Sequence, residues 1–460
     1  MASSFGSINT ALTALYAQRR GLDVTGQNIA NANTEGYTRQ RVDMQSQTGS
    51  ISAAMYAKTD GVGTGVAVNN VTRIRDEYLE SRGRMEHGNG AYLTQQSSGY
   101  STIENAFAEP NDTALQAQMG QMWDSWADVA NNPKDAAARS ALIEQSTTVA
   151  SQFNDLHSSL AGQWSNDHNE LIAYANDVNT TATAVAQLND SIVKATATGL
   201  TVNELQDRRD VAVMHLSELT GSTATPRPNG AVDVQVGNST LVSEFTTRSI
   251  AVTGAQRLDD QGTDPITLRW ADSQQAITAG GTIGAIVDAM STVIPGISAQ
   301  LDTVAKNLAD TVNAAHSAGF SADGSTGLNF FAGNSAATLK VAVTDPAKVA
   351  FAATTATFDH SVADQLAGSG TSNTGPDADY QVLIGQLGVA AGASSRRSDI
   401  QSNITQQADA DRESTSGVNL DEEMTRMLTY QRGYEAASRV LTTVDSMLDQ
   451  LINRTGLVGR

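Results

Sequence analysis

The stretch Ser416–Arg454, SGVNLDEEMTRMLTYQRGYEAASRVLTTVDSMLDQLINR, decides how this chain is built. Taken in alternating steps of three and four, it presents Leu420, Glu423, Met427, Tyr430, Tyr434, Ala437, Leu441, Val444, Leu448 and Leu451, all apolar except Glu423. A 3.5-residue repeat held this long predicts a helix with a narrow apolar seam, as in a coiled coil. Asn419 is placed to cap it, Glu422 stands three residues on, and Asp421, Glu422 and Glu423 read as a solvated acidic start at the positive helix end. Arg454 and Gly456 mark the stop. Such a helix would run about 45–50 Å, and its seam needs a partner.

The expected partner is at the other terminus. Ile8, Leu12, Leu15, Arg19, Leu22, Gly26 and Ile29 follow the same alternation, interrupted by Arg19 and Gly26. A glycine inside a helix costs up to about 1 kcal/mol relative to alanine, so this helix is weaker alone. Amphipathic segments at both ends suggest a chain that goes out and returns.

Composition narrows the function. A chain of 460 residues allows two to four domains. Aromatics are only 5%, which favours long polar-faced helices over thick cores. The net charge of −20 argues against binding nucleic acid or an anionic membrane surface. With no cysteine there is no disulfide, thiolate nucleophile or cysteine–zinc site. Met1–Arg20 lacks the pattern of a secretory signal, and no stretch reads as a membrane span of about 18 apolar residues.

Between the termini the periodicities change in blocks. Val42, Met44, Ile51, Val62, Val66, Val68 and Val71 hint at strands, and Gly61, Gly63 and Gly65 read as a turn rather than a nucleotide loop, because strand-like residues follow. Helical spacing starts at Glu86. A helix through Met119, Met122 and Trp126 is expected to be capped by Asn111 or Asp112, with Trp123 and Trp126 packed between helices. From Lys134 to Thr198 apolar residues recur in threes and fours, predicting a rod-like bundle. Gly221–Thr282 reads as a small β-rich unit with a turn at Asn229-Gly230. Ile283–Ala318 is helical, with Pro295 dividing or kinking it. Gly319–Gly375 looks like a small surface module, and Tyr380–Ala410 leads into the terminal helix.

The fold predicted is mainly α with β-rich inserts. Residues 1–45 and 416–460 form a terminal coiled-coil assembly domain, and 46–220, 283–318 and 378–415 a helical rod. Residues 221–282 form a β-rich unit, and 319–377 a small outer module. No catalytic constellation is visible. The six histidines are scattered, and HExxH, GxSxG, P-loop and calcium-loop patterns are absent. No enzyme activity, cofactor or metal is expected.

Both termini resemble the axial proteins of the bacterial flagellum. Ile29-Ala30-Asn31-Ala32-Asn33-Thr34-Glu35-Gly36-Tyr37-Thr38-Arg39-Gln40 is similar to a signature shared by rod, hook and hook-associated proteins. Val418–Met424 and Val440–Asp445 look like the hook-associated subgroup at the hook–filament junction. Trp126–Pro133, Asn203–Asp210 and Asn313–Phe331 agree with it. The resemblance implies a structural subunit of a ring between hook and filament, needed for filament attachment and motility. Its partners would be copies of itself, the hook protein, the filament-side hook-associated protein and an export chaperone at the C-terminal region. It would be exported to the extracellular flagellum without a cleaved signal peptide. The assembly residues expected are Ile8, Leu12, Leu15, Leu22, Ile29, Asn31, Asn33, Gly36, Tyr37, Leu420, Met427, Tyr430, Tyr434, Leu441, Val444, Leu448 and Leu451. Gly433 departs from the pattern, where relatives carry a better helix former. The alternatives are another axial protein of the same class or a secreted adhesin or enzyme on a flagellar scaffold.

Overall fold

The computed structural model describes residues 4–47, 63–356 and 359–453, with side chains from Gly6 to Gln450 within those ranges. Ile51, Gly61, Val62, Arg454 and Gly456 and the side chain of Leu451 lie outside the described residues. Helix α1, Ser4–Ala30, is followed by an antiparallel hairpin of β1, Gln40–Gln47, and β2, Gly65–Arg73. The register pairs Gln40 with Arg73 and Gln47 with Gly65, with a bulge at Asp43/Met44. Val24 of α1 packs with Val42 and Val71 in a small core of their own. The hairpin therefore rides on α1, and the boundary expected after residue 45 falls inside β1.

Helix α2, Glu77–Phe107, begins before the expected Glu86. Asp76 caps it, accepting hydrogen bonds from the Tyr78 and Leu79 amides. Gly83 and Arg84 are the buried residues of its early turns, so hydropathy gave no signal there. Helix α3, Leu115–Asn131, is not capped by Asn111 or Asp112. Asn111 closes the preceding turn on Thr113, and the Glu109 carboxylate takes the Gln116 amide. Helix α4, Ala136–Ala197, runs 62 residues, about 93 Å, from its Asp135 cap. Helix α5, Asn203–Thr220, ends at Gly221, whose φ of 65° suits glycine.

The β-rich unit holds an antiparallel sheet of β3 (Thr223–Pro226), β4 (Val232–Val236), β5 (Ser239–Ser243) and β6 (Thr246–Thr247), in that order. A hairpin of β7 (Ile250–Thr253) and β8 (Thr267–Trp270) follows. The next helix is continuous but changes winding: α6, Gly281–Asp288, passes through a π-turn at Ala289–Val293 into α7, Ile294–Ala318. Pro295 stands just after the π-turn inside a continuous helix, where the wider winding accommodates its missing N–H, so it does not divide the helix. The small module has two short pairs, β9 (Phe320–Ser321) with β12 (Ala350–Ala352) and β10 (Phe331–Ala332) with β11 (Lys340–Val341), and helix α8, Ser361–Ala367. Helix α9, Pro376–Ser416, runs back along α2, and α10, Leu420–Asn453, returns to α1.

One continuous apolar core joins the rod to both inserts, from Phe107 and Trp126 through Trp164 and Leu301 to Trp270 and Phe330. The inserts are thus built onto the rod rather than tethered to it. Trp126 and Trp123 are buried, and the Trp123 indole donates to Asp377 at 2.7 Å, tying α3 to the start of α9. Asn313 holds the Phe330 and Phe331 amides, and His316 spans from the Leu328 carbonyl to the Ala350 amide. Burial lowers the His316 pKa, so the neutral ring fits its place. His87 of α2 sits 3.0 Å from Glu218 of α5 and 3.0 Å from Asp409 of α9, and the Glu218 hydrogen bond raises its pKa.

The reading that no segment is span-like needs correction. Gly281–Ala318 is long and apolar enough by length and composition, with a mean hydropathy of 1.4 in its best window. Its apolar side, with Ile286, Met290, Leu301, Val304, Leu308 and Val312, packs into the core.

Candidate assembly interface

The termini meet as an antiparallel pair. Asn28 of α1 contacts Glu423 of α10, Gly21 lies against Tyr430, and Gln18 against Gly433. The face of α1 that is buried is Ala11, Ala17, Gly21, Val24, Thr25 and Asn28. Ile8, Leu12, Leu15, Leu22 and Ile29 are only half buried, so the expected α1 seam is not the pairing face. Small residues let the backbones approach, which a search for large apolar side chains overlooks. On α10, Met427, Tyr430, Leu441, Val444 and Leu448 are half buried and Ala437 is buried, whereas Leu420 and Tyr434 are exposed.

Gly433 lies against the Gln18 side chain of α1. A Cβ there would come within 2.7 Å of the Gln18 amide oxygen. That oxygen ends a flexible side chain, so Gly433→Ala is expected to leave stability unchanged or raise it by up to about 1 kcal/mol through helix propensity. Gly21 differs, because its Cβ would sit 2.6 Å from the Tyr430 ring. Gly21→Ala is expected to lose about 1–3 kcal/mol by overpacking, and paired denaturation curves check the asymmetry.

Where the pair joins the rod, a buried polar cluster closes it. The Asn28 amide nitrogen donates to the Gln40 carbonyl and to Glu423 Oε2, both at 2.9 Å. Its oxygen accepts from the Tyr37 hydroxyl at 2.8 Å and the Gln40 amide at 3.0 Å. Four hydrogen bonds satisfy this buried side chain completely. Arg39 Nε donates to Glu423 Oε1 at 2.8 Å and Nη2 to Glu422 Oε2 at 2.8 Å. Asp421 and Glu422 are exposed, as expected of a solvated acidic helix start, but Glu423 is 1% exposed and departs from that reading. Glu422 pairs with Arg39 instead of reaching back as a capping box, while Asn419 does cap α10 through the Asp421 and Glu422 amides. Burial works against the Arg39 charge, but hydrogen bonds to both glutamates leave its pKa raised. Burial, helped by Asp207 and Glu423, pushes the Tyr37 hydroxyl up to about 12, so it remains a donor.

A second ring of contacts ties this cluster to α5. Asn203 donates to the Gln40 side chain and the Val71 carbonyl, and Asp207 accepts from the Thr38 amide and Arg73. Asp210 faces Arg73, Arg75 and Arg209, whose charges hold its carboxyl below the usual range despite burial. Of the expected signature residues, Gly36 has φ 74° and packs on Val211, Asn31 bonds the Gln27 carbonyl and Thr34, and Asn33 is exposed. Asn28, Arg39, Glu423, Asn203 and Asp207 lie outside the assembly residues expected from the sequence. The available signal was Glu423 itself, a lone acid on an apolar seam, with Asn28 and Arg39 on the opposite terminus.

A helix pair made from both termini, closed by an Asn–Glu–Arg cluster that Asn203 and Asp207 tie to a helical rod, fits the architecture expected of an axial protein of the flagellum, and comparison with known proteins shows that class. The family model for the flagellar hook-associated protein FlgK helical domain matches residues 100–331. The flagellar basal body rod FlgEFG protein C-terminal model matches 412–454, and the flagella basal body rod protein model 8–38. Flagellar hook-associated protein 1 of Bacillus subtilis is 31% identical with full coverage of both chains, 100% and 100%. That of Escherichia coli is 24% identical over 97% of this chain and 99% of its own. The flagellar hook junction protein FlgK of Burkholderia pseudomallei shares the fold, with a TM-score of 0.65 at 15% identity, covering 74% of this chain and 100% of that one. The chain belongs to the flagellar hook-associated protein 1 family and is a hook–filament junction component of the bacterial flagellum.

Proposed function

We propose that this chain is a structural, non-catalytic subunit that assembles through its terminal helix pair into a ring between hook and filament. Its partners are then other copies, the hook protein and the filament-side hook-associated protein. The exposed apolar residues of α10 carry this reading. By helical spacing Leu420, Met424 and Leu428 lie on one flank of the buried seam and Val440 and Met447 on the other, and all five are exposed. Together with half-buried Ile8, Leu12, Leu15 and Leu22, they offer apolar surface on two sides, as a subunit needs in a closed tube.

The four-part division follows the same logic, with the hairpin of β1 and β2 grouped with the terminal pair. The polar cluster anchors one end of α1 and α10, so ordering by neighbours is expected to matter most at the far end, around Ile8 and Leu448. Export without a cleaved signal peptide, escorted by a chaperone on the C-terminal region, belongs to this reading. The test adds purified chain to isolated hooks and then flagellin. Filament growth only with the chain present is the expected result, and growth without it would overturn the junction role.

A further inference from the structure

Three helices of the rod meet on the side chain of His87 in α2. Its Nδ1 lies 3.0 Å from Glu218 Oε1 of α5, and its Nε2 lies 3.1 and 3.0 Å from the two oxygens of Asp409 of α9. A Cβ at Gly88 would stand 2.8 Å from the Ser217 carbonyl oxygen of α5, and one at Gly90 3.3 Å from the Thr405 hydroxyl of α9. Both helices thus close on α2 where it lacks side chains. A neutral imidazole has one N–H and one lone pair, so in either tautomer a lone pair would face a carboxylate at hydrogen-bond distance. Only the imidazolium donates to both. The other charged groups nearby have partners of their own. His215 of α5 pairs with Asp177 of α4, Arg82 of α2 with Asp411 of α9, and the Tyr174 hydroxyl of α4 with Glu170. Glu86 accepts from the Gln401 amide, and Arg412 stands 3.8 Å from Asp409. Glu218 has no cation besides His87 among the described residues.

We propose that His87 is a proton-operated brace: charged, it holds α5 and α9 together across α2, and neutral, it keeps α5 and releases α9. When the proton leaves, the remaining N–H stays on Glu218, which has no other cation, and Asp409 turns to Arg412 of its own helix. The place gives the brace a consequence. Glu218 and Asp409 also wall a groove of about 460 Å³, to which residues 35–38 after α1 and 416–418 before α10 contribute. Both links from the terminal pair to the rod therefore run past the two carboxylates that the ring clamps. The ring is a quarter exposed, so its proton exchanges with solvent without unfolding. The hydrogen bond to Glu218 raises the His87 pKa, burial opposes it, and Asp409 adds to the rise. A folded-state pKa above the unfolded one makes the stabilisation complete below about pH 6.5 and removes it as pH rises through the folded value.

Nitrogen-15 spectra of the histidine-labelled full chain, taken across the neutral range, read the ring directly, with the His87 signals assigned by their loss in His87→Gln. Both nitrogens are expected to be protonated at the acid end, with a midpoint above the roughly 6.5 of a free histidine and the Nδ1–H tautomer beyond it. Glu218→Gln and Asp409→Asn should each weaken proton binding by the ring several-fold. Hydrogen exchange of the α9 amides around Asp409, corrected for the intrinsic effect of pH, should lose about two- to fivefold in protection over the same range, the size of a partly exposed charge pair. His87→Gln, with the same donor at every pH, should abolish that loss, and His215→Gln should leave it intact. A midpoint at or below about 6.5 would overturn the proposal. A response to only one carboxylate variant would show a ring tied to a single helix and would overturn it too. The same pH response of α9 in wild type and His87→Gln would show that the ring releases nothing.

Discussion

Glu423→Ala is expected to destabilise the terminal helix pair by about 3–5 kcal/mol, the usual cost of removing one partner of a buried ion pair. The carboxylate that goes is 1% exposed and serves Arg39 and Asn28 at once. Its loss leaves a buried guanidinium partly paired and a buried amide N–H with one acceptor fewer. Glu422→Ala removes the other Arg39 partner, but that side chain is 57% exposed, so the change should stay within about 1 kcal/mol. The small core of Val24, Val42 and Val71 joins α1 to the β1–β2 hairpin and is separate from the rod core, so α1 should open apart from the rod. Hydrogen exchange of the α1 amides is therefore the measurement. A fall in protection of about 100-fold or more for Glu423→Ala, with little change for Glu422→Ala, is expected. Equal effects of the two would show that the buried cluster does not hold the pair.

The second large effect is on assembly rather than folding. Met424→Asp and Leu428→Asp are expected to change the stability of the dilute chain by no more than about 0.5 kcal/mol, because both side chains are over half exposed, at 53% and 52%. Incorporation onto hooks should nevertheless be lost. Each such side chain contributes roughly 1.5–3 kcal/mol when a neighbour covers it, and an aspartate in its place brings a charge into that contact. Repeated at every subunit of a ring, the loss is cumulative. Leu328→Asp, at a partly exposed leucine in the outer module, is the matched control and should decorate hooks normally. Normal filament attachment with Leu428→Asp would remove the flanks of α10 from the account.

Much of the architecture was legible because it depends on periodicity. The 62-residue α4 showed itself by apolar residues every three or four positions with neither proline nor a glycine run. The β3–β4 hairpin showed itself by alternation around Asn229-Gly230. Helix α2 begins before its hydropathy signal does, because its first buried residues are a glycine and an arginine. The buried face of α1 was misplaced for a related reason. Ala11, Ala17 and Gly21 are small and buried, and for Gly21 it is the Tyr430 ring of α10 that covers the backbone.

What the amino-acid order determined alone is the local grammar: which segments are helix or strand, where glycines and prolines interrupt them, and that both ends carry apolar stripes. Those are properties of neighbours a few residues apart, and the chain states them directly. What only the tertiary structure decided is the partnership of groups hundreds of positions apart. Asn28 and Arg39 converge on Glu423, and Arg73, Arg75 and Arg209 converge on Asp210. Whether a charge is solvated or buried depends on what folds over it, and no spacing rule along the chain contains that information.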